Sequence, residues 1–187
     1  MTKLNAVNRM LDLLGAPPED SLVSSDLSLE GSRALTRLDD EVSYFQSQGW
    51  YFNTFTRTLK QDIDGYIYLP NNTLRVDTID PTDKNIHKKG NRLYDFENNT
   101  YAINRDIKVE IILELDFEDM PYEAQEYIVA KASKEFQMDL QGSEMLYRAL
   151  QAQEAEAYVR FKKQDSDVGD YNMLENPELQ DLLWRGY

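Results

Sequence analysis

Residues 121–163 read PYEAQEYIVAKASKEFQMDLQGSEMLYRALQAQEAEAYVRFKK, and their apolar spacing decides the fold. The spacing predicts two long amphipathic helices, Pro121–Leu140 and Ser143–Lys163. In the first, Ala124, Ile128, Ala132, Phe136 and Leu140 recur at every fourth position, with Val129 and Ser133 beside them. Each such step drifts about 40° around a helix, so the row wraps onto more than one face and predicts several neighbours. The second helix offers Leu146, Ala149, Leu150, Ala157 and Phe161 on one side, and its small alanines let a partner helix approach closely. Gly142 and Ser143 separate the two, with Ser143 placed as a cap. A break this short predicts an antiparallel hairpin.

Working outward, Leu4, Val7, Leu11 and Leu14 predict a first helix that Gly15-Ala16-Pro17-Pro18 stops. Residues 19–28 are rich in Ser and Asp and predict a loop. A second helix runs from about Leu29 to Gln48, with Leu35, Leu38, Val42 and Phe45 as a narrow seam and Gly49 at the C′ position. The period then changes. Trp50–Thr56 is aromatic and Thr-rich, which favours a strand. Tyr66–Leu69, Leu74–Ile79, Leu93–Phe96 and Thr100–Ile103 predict further short strands, the last two as a hairpin around Glu97-Asn98-Asn99. Ile107, Val109, Ile111, Leu113 and Leu115 alternate with Lys108, Glu110 and Glu114, and only Ile112 breaks the rhythm.

Helix, then strand, then helix predicts an α+β protein. Residues 1–49 and 117–165 form a helical bundle domain, with residues 50–116 as an antiparallel β-sheet insertion between them. Residues 166–187 predict an extended C-terminal tail that docks elsewhere. Tyr171, Asn172, Met173, Leu174, Leu182, Leu183 and Trp184 are its candidate interface residues, because aromatic and methionine anchors suit interfaces. The alternative is that this tail packs back on its own bundle.

The composition removes several classes of chemistry. The 187-residue chain has no cysteine, which excludes disulfides, thiolate nucleophiles and Cys-containing zinc sites. Its 34 acidic and 20 basic residues give a formal charge of −14, which argues against conventional nucleic-acid binding and against docking on an anionic membrane. No apolar run approaches the roughly 18 residues of a membrane span, and the N-terminus lacks the order of a signal peptide. Asp62-x-Asp64-Gly65 lacks the remaining ligands of a calcium loop and predicts a turn. The chain has no nucleotide-binding glycine motif. No catalytic, metal or cofactor residue is assigned. The single histidine, His87, stands with Lys88, Lys89 and Arg92 in a basic turn. That turn is either a solvated hairpin tip, a patch facing an acidic partner or DNA backbone, or a catalytic site, for which no nucleophile motif stands nearby.

Several blocks together resemble tail tubular protein A of short-tailed bacteriophages, the podoviruses. Ala6-Val7-Asn8 and Leu14-Gly15-Ala16-Pro17-Pro18 resemble that family's opening helix and its stop. Gly49-Trp50-Tyr51-Phe52-Asn53 resembles its helix-to-sheet junction, and Glu118-Asp119-Met120-Pro121 with Tyr127–Ser133 and Phe136 resembles the start of its third helix. Gly169-Asp170-Tyr171-Asn172-Met173-Leu174 is similar to a segment near its end. The blocks keep their order over residues 6–174, while 54–115 match poorly. The resemblance implies a structural virion protein with no catalytic residue to carry over. It implies a head-to-tail adaptor: a homo-oligomeric ring of twelve copies between the portal protein and the tail nozzle (tail tubular protein B), near the tail fibre. Genomic DNA would be retained and ejected through its lumen without sequence-specific binding, and assembly would take place in the host cytoplasm. Acidic side chains lining the lumen would keep DNA from adhering. Two other classes stay open: a tail-associated hydrolase of envelope polysaccharide or peptidoglycan, and a DNA-binding head-completion protein using the His87–Arg92 turn.

Overall fold

The computed structural model describes residues 1–174, without the side chains of 169–174. The element order is α1 (Lys3–Asp12), α2 (Leu29–Ser47), β1 (Thr54–Leu59), β2 (Thr73–Thr78), β3 (Ile86–Lys89), β4 (Arg92–Asp95), β5 (Ile107–Leu113), α3 (Tyr122–Leu140) and α4 (Glu144–Leu174). The class is α+β, with antiparallel sheets between N- and C-terminal helices. Two compact units divide the chain: a helical unit of Met1–Val42 and Asp116 onward, and a β unit of Ser43–Leu115.

In the helical unit, the Thr2 hydroxyl caps α1 by accepting from the Asn5 N–H at 3.2 Å. The helix buries Ala6, Val7, Met10 and Leu11 and ends before Gly15, whose φ of 67° lies in the left-handed region. The loop that follows is pinned. Asn8 and Glu19 exchange two hydrogen bonds, side-chain amide to carbonyl at 2.9 Å and backbone N–H to Asn8 Oδ1 at 2.8 Å. The Glu19 carboxylate accepts from the Ser28 N–H at 3.0 Å, and the Ser28 hydroxyl accepts from the Gly31 N–H at 2.9 Å. That last bond caps α2, which buries Ala34, Leu38 and Val42.

The row foreseen on α3 is buried at Ala124, Ile128, Ala132 and Phe136, with Val129 and Ser133 buried beside it. The turn leading into α3 is locked by one side chain. Gln125 Nε2 donates to the Phe117 carbonyl at 2.8 Å and the Met120 carbonyl at 3.0 Å, while its Oε1 accepts from the Met1 amino group at 2.7 Å. Helix α4 returns antiparallel to α3, with Tyr127 beside Tyr158 (ring centroids 5.1 Å) and Lys134 beside Glu154 (2.6 Å). It buries Leu150, Ala157 and Phe161, but Ala149, assigned by spacing to the packed side, is exposed. Residues 166–174 continue α4, where polar composition predicts irregular chain. No proline interrupts this stretch, the Lys162–Asp165 ion pair (2.9 Å) supports the helix before it, and a single Gly169 costs only about 1 kcal/mol.

The β unit holds a three-stranded antiparallel sheet in the order β1-β5-β2 and the two-stranded hairpin β3-β4. Central β5 sends Ile107, Val109 and Ile111 into a core with Ile67, Leu69, Val76, Ile86 and Leu93, and Lys108 and Glu110 to solvent. Ile112, the break in alternation, is buried as well. Its Cδ1 occupies the space that a Cβ on Gly49 would need, 2.5 Å away, and Gly49 has φ 79°.

Three local expectations change. Trp50–Asn53 is a turn, and the strand begins only at Thr54. The reason is Asn53, fully buried. Its Oδ1 accepts from the Trp50 N–H at 2.8 Å, and its Nδ2 donates to the carbonyls of Gln46 (2.9 Å) and Leu113 (3.1 Å). Tyr66–Leu69 and Thr100–Ile103 make only isolated bridges, Tyr68 to Arg92 and Thr100 to Asp95. Ile86–Lys89, foreseen as turn, is strand β3. The division between units also falls inside α2, not at Gly49. Gln46 and Leu115 exchange two hydrogen bonds (2.8 and 3.0 Å), which ties the last turn of α2 to the end of the sheet region.

Candidate interaction surfaces

The basic turn proves to be a two-faced hairpin. The register pairs His87 with Tyr94, Lys88 with Leu93 and Lys89 with Arg92, around Gly90 at φ 68°. Alternation along a strand sends neighbours to opposite faces. Ile86 and Leu93 enter the core, and Lys88 shares their side, its ammonium donating to the Thr73 carbonyl. His87, Lys89, Arg92 and Tyr94 take the outer face. There the Lys89 ammonium sits 3.8 Å from the Tyr94 ring centroid and within 6 Å of Phe96 and Tyr101. The Arg92 guanidinium sits 4.2 Å from the Tyr101 centroid, with Tyr66 and Tyr68 at 5.4 and 5.7 Å. His87 lies 5.9 Å from Phe96, ring to ring. So the structure gathers three of the four basic-turn residues and sends Lys88 the other way. The aromatic half of this surface was missed in the sequence, because Tyr66, Tyr68 and Tyr101 are distant in the chain.

In the helical unit, an open groove of about 390 Å³ runs among α1, α3 and α4, floored by Val129, Leu150 and Ala157. Arg9 grips Glu126 at its rim with contacts of 2.6 and 3.3 Å. That hydrogen bond holds the Glu126 carboxyl below the usual carboxylate range against the opposing effect of burial, and raises Arg9. Nearby, burial works against the charge of Lys134. Its ammonium pairs with Glu154 (2.6 Å) and Glu135 (3.2 Å), which raise its pKa well above the ordinary lysine value.

Of the C-terminal candidates, Tyr171, Asn172, Met173 and Leu174 lie in the last turns of α4, and their side chains are not described. Leu182, Leu183 and Trp184 lie outside the described residues. Among the described residues no group of three or more His, Asp or Glu could hold a metal ion, and no helix is long and apolar enough to cross a membrane.

Charge divides unevenly between the units. The β unit has 9 Lys and Arg against 10 Asp and Glu, a net of −1. The remaining 11 and 24 give the helical unit −13, nearly the whole of the chain's −14.

Packed helices, a small antiparallel sheet and surface patches of charged and aromatic side chains make up the described residues. The family model described as tail tubular protein matches residues 4–171, which spans both units. The chain is also 30% identical over 158 residues to "Tail tubular protein A" of Klebsiella phage KP34, covering 84% of this chain and 83% of that protein. The chain belongs to the tail tubular protein family. It is therefore a structural tail protein of a bacteriophage, a virion component that assembles with other phage proteins.

Proposed function

We propose that the chain is the adaptor subunit of a short-tailed phage. Twelve copies close into a ring between the portal protein and the tail nozzle, beside the tail fibres, and the genome is held and ejected through the lumen. The observation that carries this reading is the family match across residues 4–171, which embraces the helical hairpin and the β unit alike. A ring needs two different faces on each subunit, since heterologous contacts that close give cyclic symmetry. The residues from Tyr171 to Trp184 supply an arm that reaches a neighbour or the portal. The helical unit, at −13, supplies carboxylates to the lumen, where like charge keeps the DNA backbone from adhering.

Negative-stain images of the purified protein, alone and mixed with portal rings, test this reading. Closed rings that cap the portal are expected; particles that never close and never bind portal overturn it. A chain ending at Asp170 is expected to keep its helical circular dichroism and lose portal binding. If that truncation unfolds the protein instead, residues 171–187 belong to its core and the arm is withdrawn.

A further inference from the structure

We propose that the outer face of the β3–β4 hairpin docks on the acidic helical unit of a second copy of this chain, with Lys89 and Arg92 as charged anchors. The inference rests on the ring reading and deepens it, by naming the surface through which one copy recognises the next.

Four observations converge. First, the strand register sorts this face from the core: Ile86 and Leu93 are 2% and 0% exposed, while His87 and Lys89 stand in solvent on the opposite side. Second, Lys89 and Arg92 form no ion pair among the described residues, in a chain with 34 carboxylates. They rest on aromatic rings instead, Lys89 on Tyr94 and Arg92 on Tyr101. A cationic head held over a ring has already given up much of its side-chain freedom, so capturing a carboxylate costs it less. Third, Tyr68 and Phe96 flank the cations at 53% and 50% exposure, and an aromatic and arginine surface is what protein interfaces favour. Fourth, the complement is present in the same molecule. The helical unit carries −13 against −1 for the β unit, and the exposed Asp116 and Asp119 form no ion pair among the described residues. A near-neutral unit with a cationic face and an acidic unit are electrostatically complementary between copies. Such complementarity fixes partner and register.

Carbodiimide coupling, which joins an ammonium directly to a carboxylate, tests the contact on the full chain. Equal parts of ¹⁴N- and ¹⁵N-labelled protein are mixed at low salt, coupled and digested. Mixed-isotope crosslinks from Lys89 to Asp or Glu within 1–42 or 116–187 are expected; Lys89 crosslinks confined to 43–115, or none between copies, overturn the proposal. Sedimentation supplies the second arm. Lys89→Glu with Arg92→Glu is expected to weaken self-association about tenfold or more, whereas Lys60→Glu with Lys108→Glu, an equal charge change elsewhere in the β unit, weakens it far less. Circular dichroism verifies that both variants fold. Wild-type protein that stays monomeric at low salt overturns the inference. Closed rings formed equally well by the Lys89→Glu/Arg92→Glu variant remove this surface and leave the ring reading standing. Wild-type copies that couple through Lys89 but never close keep the surface and remove the ring.

Discussion

Replacing Asn53 by alanine is the sharpest test of how the chain passes from helix to sheet. The side chain is fully buried and makes three hydrogen bonds to backbone groups that come from three places: the end of α2, the turn itself and the end of β5. A typical buried hydrogen bond contributes about 1 kcal/mol net. Alanine removes all three, and the loss is therefore about 3 kcal/mol. For a chain of this size each kcal/mol shifts the melting temperature by about 2–4 °C, so thermal unfolding should move down by about 6–12 °C. Asn53→Asp separates this account from simple loss of volume. Aspartate keeps the oxygen that receives the Trp50 N–H but turns a charged oxygen toward the Gln46 and Leu113 carbonyls, and should be at least as damaging as alanine. Urea denaturation followed by circular dichroism measures both. An alanine variant that loses less than about 1 kcal/mol, or an aspartate variant as stable as the parent, would refute the reasoning.

Three further outcomes follow from the helical unit. Gln125→Leu strips a donor from the carbonyls of Phe117 and Met120 and an acceptor from the amino terminus, and should lower stability by about 2 kcal/mol in urea titration. Glu126 has its pKa lowered chiefly by the Arg9 hydrogen bond, so its contribution is present above the ordinary glutamate range and is lost as pH falls through its folded value. Glu126→Gln should therefore flatten the acid limb of the stability profile below about pH 4.3 and cost about 0.5–1 kcal/mol at pH 7, given a rim that is partly in water. Glu154→Ala leaves the buried Lys134 ammonium with only Glu135 beside it and should cost about 1–2 kcal/mol. Lys134→Met combined with Glu154→Leu should recover most of that loss in a double-mutant cycle, because no buried charge is then left alone.

The helices were legible because period and punctuation agree. Leu38 and Val42, and Ala124 through Phe136, are buried where spacing put them, and Gly15, Gly49 and Gly142 all take the left-handed φ of a helix stop. Strand β5 was legible for the same reason at period two. Trp50–Asn53 was not, since aromatic propensity describes a residue's preference for a pleated surface and knows nothing of an asparagine that reaches across 60 residues to Leu113. Strand β3 was hidden by its own composition: three of its four residues are polar and only Ile86 is buried. The basic cluster was visible as a run, but a run does not reveal register. One residue of alternation separates Lys88, spent on the Thr73 carbonyl, from Lys89, which is presented outward.

Three of the blocks that carry the family resemblance lie where one side chain holds the backbone of a junction. Asn8 fixes the loop through Glu19, Asn53 ties α2 to β5, and the Glu118–Pro121 turn hangs from Gln125. Such positions tolerate few substitutes, because any replacement must supply the same donors and acceptors at the same points. A surface that docks on a partner obeys a looser rule. Charge of the right sign and an aromatic of roughly the right size suffice, and two interacting faces can change together. The quoted motif blocks therefore fall at junctions, whereas the Lys89–Arg92 face lies within 54–115, outside all of them. Family membership fixes the frame, while the surface most open to a partner of this chain's own has to be read from its register and its charge.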